Sequence, residues 1–357
     1  MKKIAIIGAG ISGLYLANLL EKEKNFEYKI FEKRPNLSLE EGYGIQLSVN
    51  SIKLLNKISF KNITASDIFF PTKVNFFMSN NPNKICDIDL AQFNDDLNRY
   101  TTTKRSTLLK FLLKNIPKDK IKFNTNLKHL DYSNAIKANF SDETEENFDF
   151  VIIADGVFSQ SKLIISKESL KPKYNNNIAL RGKLNKYYDN NISIFMGSNF
   201  HYVIYPVNQN NEYNFVAILK KKLTESKLNN EQFLQSEDFI NSLKKTLTNN
   251  SLKNLENLTE IQAFPVFVSK DLPTINQKNI FLSGDALFAF PPSFAQGASQ
   301  SIETAQDIFE SIVSGSDNLY KNRISRIHSI NWKSKLNRFA FHLSNPINIF
   351  IRNIILK

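Results

Sequence analysis

Residues 1–32 constrain the fold more than any other stretch of the chain. A short apolar run, KIAII, ends at Gly8, and a helical pattern follows it through Leu14, Leu16, Leu19 and Leu20. A second predicted strand, YKIFE, then ends at a carboxylate. A strand, a helix and a strand in this order predict a parallel βαβ unit, which is typical of α/β folds.

The turn between the first strand and the helix carries Gly8, Gly10 and Gly13 in the spacing G-x-G-x-x-G. The first glycine permits a tight turn, the second lets backbone amides approach a pyrophosphate, and the third allows close packing of helix on strand. The helix N-terminus adds positive potential. Glu32 ends the next strand, where a carboxylate would hydrogen-bond ribose hydroxyls. The pattern predicts dinucleotide binding, and it suits either NAD or the adenosine half of FAD.

The rest of the chain contains two kinds of predicted strand. FDFVIIADG and NIFLSGDA are near-continuous apolar runs, as in strands buried on both faces. Between them, residues 172–268 contain alternating strands such as HYVIYPV and YNFVAIL, with a Lys/Asn/Glu-rich helical insert over about 224–254. This order predicts a discontinuous cofactor domain with a second, strand-rich domain inserted into it. The predicted limits are 1–69, 100–171 and 269–320 for the first domain, 70–99 and 172–268 for the second, and 321–357 for a C-terminal helical segment.

Composition excludes several classes of function. The net charge of +12 comes from lysines scattered among asparagines, without the arginine-rich stripe of a nucleic-acid-binding protein. Cys86 is the only cysteine and no histidine cluster accompanies it, so we expect neither a disulfide nor a metal site. No apolar run approaches the about 18 residues that span a bilayer, so we expect a cytoplasmic protein without stable membrane insertion. The oligomeric state is left open.

Two strand-ending motifs distinguish between the cofactors. DFVIIADGVFSQSK contains Asp155–Gly156, and FLSGDALFAFPPSFAQGASQSIETA contains Gly284–Asp285. Together with the glycine turn, they make the chain resemble the flavoprotein aromatic hydroxylases of the p-hydroxybenzoate hydroxylase fold. KRSTLLKFLL, GYGIQLSVNSIKLL, MGSNFHYVIYPVNQNNEYNFVAIL and KLNRFAFHLSNPINIFIRNIIL are similar to segments of the salicylate hydroxylase-like branch of that family.

The resemblance implies a Rossmann-like FAD-binding domain, an inserted, mainly antiparallel β-sheet substrate domain and a C-terminal helix. It also implies that NADH or NADPH docks transiently as co-substrate and reduces FAD. O2 would then form a flavin hydroperoxide, which hydroxylates a small aromatic or similarly electron-rich substrate. The FAD positions that it implies are Gly8, Gly10, Ile11, Ser12, Gly13, Glu32, Lys33, Gly44, Ile45, Arg105, Leu127, Asp155, Gly156, Asp285, Pro292, Gly297 and Ala298.

Asp285 carries the most weight among these positions. The resemblance implies that it bonds the ribityl-phosphate side of FAD and that the helix start at Gly297 faces the flavin ring. The residues alone also allow Asp285 to cap the following helix. The chain departs from the family at Phe288, where histidine is common, and at Ser299, where asparagine is common. We expect these two differences to remove polar contacts near the flavin.

His201 and Tyr205 are candidate catalytic residues. They lie four apart on an alternating strand, so both side chains face the same side. The resemblance implies that this side covers the substrate pocket, where the pair would deprotonate a phenol. The alternative is an aromatic strand in the domain core.

Arg181 either meets an acidic substrate or pairs with a surface carboxylate. His342 and Trp332 are interpreted as C-terminal packing or as a cavity wall.

Three other functions stay open from the sequence. A flavoprotein oxidoreductase of the same fold would oxidise NAD(P)H without inserting oxygen, and a regulatory module would bind FAD without being reduced. A hydroxylase of a quinone or lipid ring would act at a membrane surface, because the basic charge and the apolar stretch NIFIRNIILK suit membrane docking. The alternative for that stretch is packing against the FAD-binding domain.

Overall fold

The computed structural model describes residues 1–37, 39, 43–81, 83–132, 135–166, 170–185, 189–248, 255, 257–274, 277–316 and 318–356. The end of the predicted helical insert, 249–254, lies outside the described residues. The strands are β1 (Lys2–Ile7), β2 (Phe26–Phe31), β3 (Gly44–Leu47), β4 (Ile68–Phe69), β5 (Lys73–Met78), β6 (Lys84–Asp89), β7 (Thr101–Lys104), β8 (Ile121–Lys122), β9 (Leu127–Asp131), β10 (Ile136–Phe140), β11 (Glu145–Phe148), β12 (Phe150–Ile153), β13 (Lys173–Leu184), β14 (Ile192–Gly197), β15 (Phe200–Pro206), β16 (Tyr213–Lys220), β17 (Thr259–Val268) and β18 (Ile280–Leu282). The α-helices are α1 (Ile11–Leu20), α2 (Val49–Asn56), α3 (Arg105–Leu113), α4 (Ser161–Ile165), α5 (Glu225–Leu228), α6 (Glu231–Leu234), α7 (Glu237–Thr248), α8 (Gly297–Ser314), α9 (Asn318–Phe341) and α10 (Pro346–Leu356).

A five-stranded parallel sheet forms the centre of the first core, in the order β18-β12-β1-β2-β8. Its central strands β1 and β12 are buried on both faces, which is why their sequences are nearly continuous apolar runs. α1 connects β1 to β2 and is buried along almost its whole length, partly against α8. The βαβ unit and the α/β class predicted from the sequence are confirmed.

A seven-stranded sheet forms a second core, in the order β17-β13-β16-β15-β14-β5-β6. Neighbouring strands are antiparallel except β14 and β5, which run parallel. Alternation along β15 assigns its side chains to two environments. Phe200, Tyr202 and Ile204 enter this core, whereas His201 and Tyr205 line a cavity on the other face. The limits of the two domains stay a prediction.

The C-terminal helices are fixed by buried arginines. Arg323 of α9 pairs with two carboxylates of α8, Glu303 at 2.7 Å and Asp307 at 2.5 Å, and its side chain is 6% exposed. Arg352 of α10 is also buried, and it donates to the carbonyl oxygen of Ala340 at 3.0 Å and to Met78 Sδ at 2.8 Å. These contacts attach α9 to α8, and α10 to α9 and to the seven-stranded sheet.

Two expectations for the C-terminal segment are wrong. The stretch that forms α10 lies beside β6 of the seven-stranded sheet rather than against the FAD-binding domain, because its buried arginine finds acceptors there. Trp332 neither packs inside nor lines a cavity wall, since it is 64% exposed. No helix among the described residues is long and apolar enough to cross a membrane.

Candidate active site

A cavity of about 730 Å³ lies at the carboxyl ends of the parallel strands. Its wall contains Gly8 after β1, Glu32 after β2, Asp155 after β12 and Asp285 after β18. Parallel strands bring these four positions to one edge although they are far apart in sequence, and this edge is where open α/β sheets bind ligands. We call this space the first cavity.

The glycine turn has space for a close ligand at Gly10 and close packing of the helix at Gly13. A Cβ on Gly13 would lie 2.1 Å from the carbonyl oxygen of Gly8, so the α1 helix can approach the turn only with glycine there. A Cβ on Gly10 would meet no protein atom within 4 Å, and Gly10 lines the first cavity. No side chain caps the N-terminus of α1. The first N–H groups of α1 therefore suit a phosphate.

Glu32 connects the glycine turn to the cavity wall. Its carboxylate accepts hydrogen bonds from the backbone N–H groups of Ala9 at 2.9 Å and Arg34 at 3.0 Å. The side chain is buried and also borders the first cavity. One acid therefore holds the turn in place and presents a carboxylate to any ligand in the cavity, as ribose recognition requires.

Asp155 has an unused hydrogen-bonding atom at the same wall. Its Oδ2 accepts from the backbone N–H of Ser161 at 3.3 Å, but its buried Oδ1 has no hydrogen-bond partner among the residues that the structure describes. A buried acceptor without a partner is costly, so a ligand with a donor group would be stabilised here. The carboxylates and the free helix N–H groups at the first cavity fit the adenosine diphosphate half of FAD.

Asp285 lies where the first cavity meets a second one, since it lines both. Its side chain reaches cavity solvent, yet the surrounding protein desolvates the carboxylate. This desolvation raises the pKa of Asp285 to about 6, against the opposing charges of Arg105 and Lys162. A carboxyl group with this pKa can donate or accept a hydrogen bond near neutral pH. The helix-cap alternative is not favoured, because Asp285 lies 12 residues before the start of α8.

The second cavity has a volume of about 750 Å³ and lies between the start of α8 and the seven-stranded sheet. Gly44, Ile45, Pro292, Gly297 and Ala298 line it from the cofactor side. Apolar residues of β5, β14, β15 and β16 line the opposite side. No side chain caps α8, so its N–H groups at Gly297 are available to negative charge in this cavity. Its mostly apolar wall fits an aromatic ring.

His201 lines the second cavity and contacts a second histidine. Its Nδ1 lies 2.8 Å from Nε2 of His342, the residue after the end of α9. Burial, and then the proximity of His342, hold the pKa of His201 well below its usual value. Burial, followed by the charges of Arg338 and Lys220, lowers the pKa of His342 to about 4. Both imidazoles are therefore neutral at pH 7, and one donates a hydrogen bond to the other.

Tyr205 lies beside Gly44 in the second cavity. A Cβ on Gly44 would come within 2.8 Å of the Tyr205 ring and 2.6 Å of Asn214 Cβ, so only glycine allows β3 to approach so closely. The backbone N–H of Gly44 donates to Asn214 Oδ1 at 2.7 Å. Burial raises the pKa of Tyr205 above its usual value. Tyr205 is therefore a phenol at neutral pH and can donate a hydrogen bond, but it is not a base.

Arg181 also lines the second cavity. Its guanidinium lies over the rings of Tyr43, at 5.1 Å, and Phe264, at 5.8 Å. Within the part of the chain that the structure describes, its buried Nε has no hydrogen-bond partner and no acidic residue pairs with it. The sequence allowed two partners for Arg181, an acidic substrate or a surface carboxylate. The structure favours a partner inside the cavity over a surface carboxylate.

Most of the predicted site residues line the two cavities. Those in the first cavity are Gly8, Gly10, Glu32, Lys33, Arg105, Leu127, Asp155, Gly156 and Asp285. Ile11, Ser12 and Gly13 do not line either cavity. The Ser12 hydroxyl is buried against Ser283 Oγ at 2.5 Å and the Ser301 carbonyl oxygen at 3.0 Å, so its side chain is used within the fold. The assignment of these positions to FAD stays a prediction.

The two departures from the family do not lie on the cavity walls. Phe288 is buried in the first core, 5.0 Å from the ring of Phe290. Ser299 is fully buried and accepts from the Ser48 hydroxyl at 3.3 Å. The expected loss of polar contacts at the flavin is therefore not seen in the cavity lining.

The sequence missed the contact between His201 and His342, because no local signal pairs residues 141 positions apart.

Comparison with known proteins agrees with this geometry. Residues 1–314 match the model of a family described as an FAD binding domain. A 3-amino-4-hydroxybenzoate 2-monooxygenase of Streptomyces cremeus is 24% identical over 225 residues, which are 60% of this chain and 56% of that protein. A 6-methylsalicylate 1-monooxygenase of Aspergillus terreus is 25% identical over 334 residues, which are 85% of this chain and 72% of that protein.

A solved structure shows the same fold. HpxO of Klebsiella pneumoniae, complexed with FAD and uric acid, superposes with a TM-score of 0.82 at 15% sequence identity, over 99% of this chain and 92% of that chain. Some relatives are matched over only part of their length, as the 56% of the Streptomyces protein shows. The family match and the superposition therefore show the family and the shared fold.

Proposed function

The chain belongs to the FAD binding domain family, and from this premise we propose that it is an FAD-dependent monooxygenase. It would use NAD(P)H and O2 to hydroxylate a small aromatic or similarly electron-rich substrate. The observation that carries the proposal is the meeting of the two cavities at Asp285. A polar cavity with nucleotide-binding features opens there into an apolar cavity with a histidine and a tyrosine in its wall.

The residues of the first cavity would hold the adenosine diphosphate half of FAD. Gly10 and the start of α1 would approach the pyrophosphate, and Glu32 would bond the ribose. Asp285, at the junction, would bond the part of FAD that passes between the cavities. When bound, FAD supplies electron transfer from NAD(P)H to O2 and an electrophilic oxygen for the substrate. The start of α8 at Gly297 would stabilise negative charge on the ring.

The substrate would lie in the second cavity, beside His201 and Tyr205. Neutral His201 would accept the proton of a substrate hydroxyl, because an ionised ring is more electron-rich and reacts faster with an electrophilic oxygen. His342 would share that proton through the 2.8 Å hydrogen bond. Tyr205, which keeps its own proton, would orient the substrate by donating a hydrogen bond. The apolar wall would exclude water from the reacting atoms.

Arg181 indicates the class of substrate. Its buried Nε lacks a hydrogen-bond partner among the described residues, and a positively charged guanidinium in a cavity wall favours an anion. We therefore propose phenolic acids as the first substrates to examine.

The function is tested with the purified protein reconstituted with FAD. A flavin absorption spectrum is expected, and phenolic acids should stimulate NADH or NADPH oxidation and give a product carrying one atom from labelled O2. If every substrate that stimulates oxidation gives only peroxide, the oxidoreductase alternative without oxygen insertion replaces the proposal. A protein that never binds FAD would refute the whole assignment.

A variant separates the role of His201 from FAD binding. His201→Gln should lower the rate of substrate hydroxylation by about 10²- to 10⁴-fold, the usual contribution of a general base. FAD affinity should stay unchanged, because His201 does not border the first cavity. His129→Gln, at an exposed position on β9, is the matched control and should hydroxylate like the wild type. Equal rates in both variants would show that His201 is not the base.

A further inference from the structure

One face of α10 is apolar and exposed. Ile347, Phe350, Ile351, Ile354 and Ile355 recur at the spacing i, i+3, i+4, i+7 and i+8, and their exposed fractions range from 49% to 78%. This spacing places all five on one side of the helix. Such a face normally packs on the protein core, but here it points outward. We call these five residues the C-terminal stripe.

Buried contacts fix this orientation. Arg352, on another side of α10, is 6% exposed and donates to the carbonyl oxygen of Ala340 and to Met78 Sδ. Leu356 packs against the small cluster around Phe341. Rotating α10 to bury the C-terminal stripe would remove the arginine from its acceptors, so the stripe is exposed as a property of the fold.

The neighbouring helix α9 extends the exposed apolar surface. Trp332, Leu336 and Phe339 lie on one side of it and are 64%, 46% and 65% exposed. Lys333 and Lys335 are exposed beside them, and neither forms an ion pair within the described ranges. Residues 318–356 contain seven Lys or Arg and no Asp or Glu, and two of the seven pair with acidic residues of α8. The surface is therefore both apolar and positively charged.

We propose that this surface of α9 and α10 docks on an anionic phospholipid membrane. Large apolar residues, a tryptophan and lysines side by side are the combination that binds at a lipid interface, where acyl chains meet negative headgroups. No described helix could cross a bilayer, so α10 would lie in the plane of the interface. A second copy of the chain fits less well, because a two-fold contact would bring two basic surfaces together.

Docking would bring the second cavity close to the membrane. Asn337 and Phe341 of α9 line this cavity, while Leu336 and Phe339 of the same helix belong to the exposed surface. The wall of the cavity would therefore lie next to the lipid. This proposal does not depend on the proposed function, because membrane binding requires neither FAD nor turnover.

The proposal is tested by sedimentation of the full chain with lipid vesicles. We expect the protein to pellet with vesicles containing about half phosphatidylglycerol, and at least about tenfold less with pure phosphatidylcholine. Raising NaCl from about 50 mM to about 500 mM should weaken binding, because salt screens the lysines. A wild-type protein that stays in the supernatant with both vesicles would overturn the proposal.

Paired variants identify the surface. Phe350→Glu/Ile354→Glu should reduce pelleting at least about tenfold, whereas Leu97→Glu, at a position that is 75% exposed elsewhere, should not change it. Equal thermal unfolding of the two proteins shows that both are folded.

The charge variant Lys333→Glu/Lys335→Glu should remove most of the dependence on phosphatidylglycerol. The same change at Lys221 and Lys222, which are also exposed, should leave it intact. Two results contradict the proposal. One is unchanged pelleting of the Phe350→Glu/Ile354→Glu variant. The other is a wild-type protein that does not bind vesicles but forms a concentration-dependent dimer, which the Phe350→Glu/Ile354→Glu variant abolishes. A second copy of the chain would then be the occupant of this surface.

Discussion

Two glycines of the glycine turn, Gly10 and Gly13, are required for different reasons. Gly10 has φ −81° and ψ −175°, which alanine adopts without strain, and its Cβ would meet no protein atom within 4 Å. Gly10→Ala should therefore leave the free energy of unfolding of the apoprotein unchanged or raise it by about 0.4–1 kcal/mol, since alanine restricts the unfolded chain.

Gly13→Ala should have the opposite effect on the apoprotein. Alanine favours the helix by about 1 kcal/mol relative to glycine. Its Cβ, however, would lie 2.1 Å from the carbonyl oxygen of Gly8 and 3.1 Å from Ile6 Cγ2, so the turn or the helix must move. Overpacking of this kind costs typically about 1–3 kcal/mol and more where backbone must shift, so a net loss of stability is expected.

Both variants should bind FAD more weakly. The methyl group that Gly10→Ala introduces would occupy space at the wall of the first cavity. A cost of about 1–3 kcal/mol in the free energy of FAD binding corresponds to about a 5- to 150-fold higher Kd. Urea unfolding of the apoprotein and titration of flavin fluorescence measure the two quantities separately. Unchanged FAD affinity in Gly10→Ala would refute the placement of the pyrophosphate at this turn. A loss of apoprotein stability in Gly10→Ala would refute the space argument.

Three further predictions follow from single contacts. Glu32→Gln should weaken FAD binding by about tenfold or more, since an amide cannot accept from both backbone N–H groups as the carboxylate does. Glu27→Gln, on the preceding strand β2, should bind FAD like the wild type in the same titration. Arg323→Met should destabilise the apoprotein by about 3–5 kcal/mol in urea unfolding, because it leaves buried carboxylates unpaired, whereas Arg326→Met, at a half-exposed position, should cost less than about 1 kcal/mol. Desolvation by the surrounding protein raises the pKa of Asp285 from 3.8 to about 6, although its side chain reaches cavity solvent. The folded apoprotein therefore keeps a proton that the unfolded chain releases, and stability falls as pH rises between these values. Asp285→Asn should therefore be more stable than the wild-type apoprotein above pH 6 and not below pH 4, and a stability difference that does not vary with pH would contradict this assignment.

The sequence predicted many of the residues that line the first cavity, because the signals at these positions are local. Gly8, Gly10 and Glu32 sit at fixed distances from strand ends, and parallel strands place those ends at one edge. The same periodicity argument placed His201 and Tyr205 on one face of β15, and both line the second cavity. Periodicity did not reveal which face of β15 packs in the core of the seven-stranded sheet and which face lines a cavity.

Contacts between distant segments could not be predicted. His342 lies 141 residues from His201, and they meet only because α9 ends beside β15. The environment of Arg181 depends in the same way on Tyr43 and Phe264, which come from different parts of the chain. The sequence left open whether the stretch that forms α10 docks on a membrane or packs against the FAD-binding domain, since an apolar pattern indicates that a helix has one apolar side but not what covers it.

Local sequence specifies the βαβ unit, the glycine turn and the two kinds of strand, because steric limits, side-chain periodicity and strand-end polar groups act over a few residues. Which charges are buried and which groups meet depends on tertiary packing. Desolvation of Asp285, the hydrogen bond between His201 and His342, and the outward face of α10 all depend on the packing of segments that are remote in sequence. Burial and charge proximity are properties of the whole fold, so no local pattern contains them.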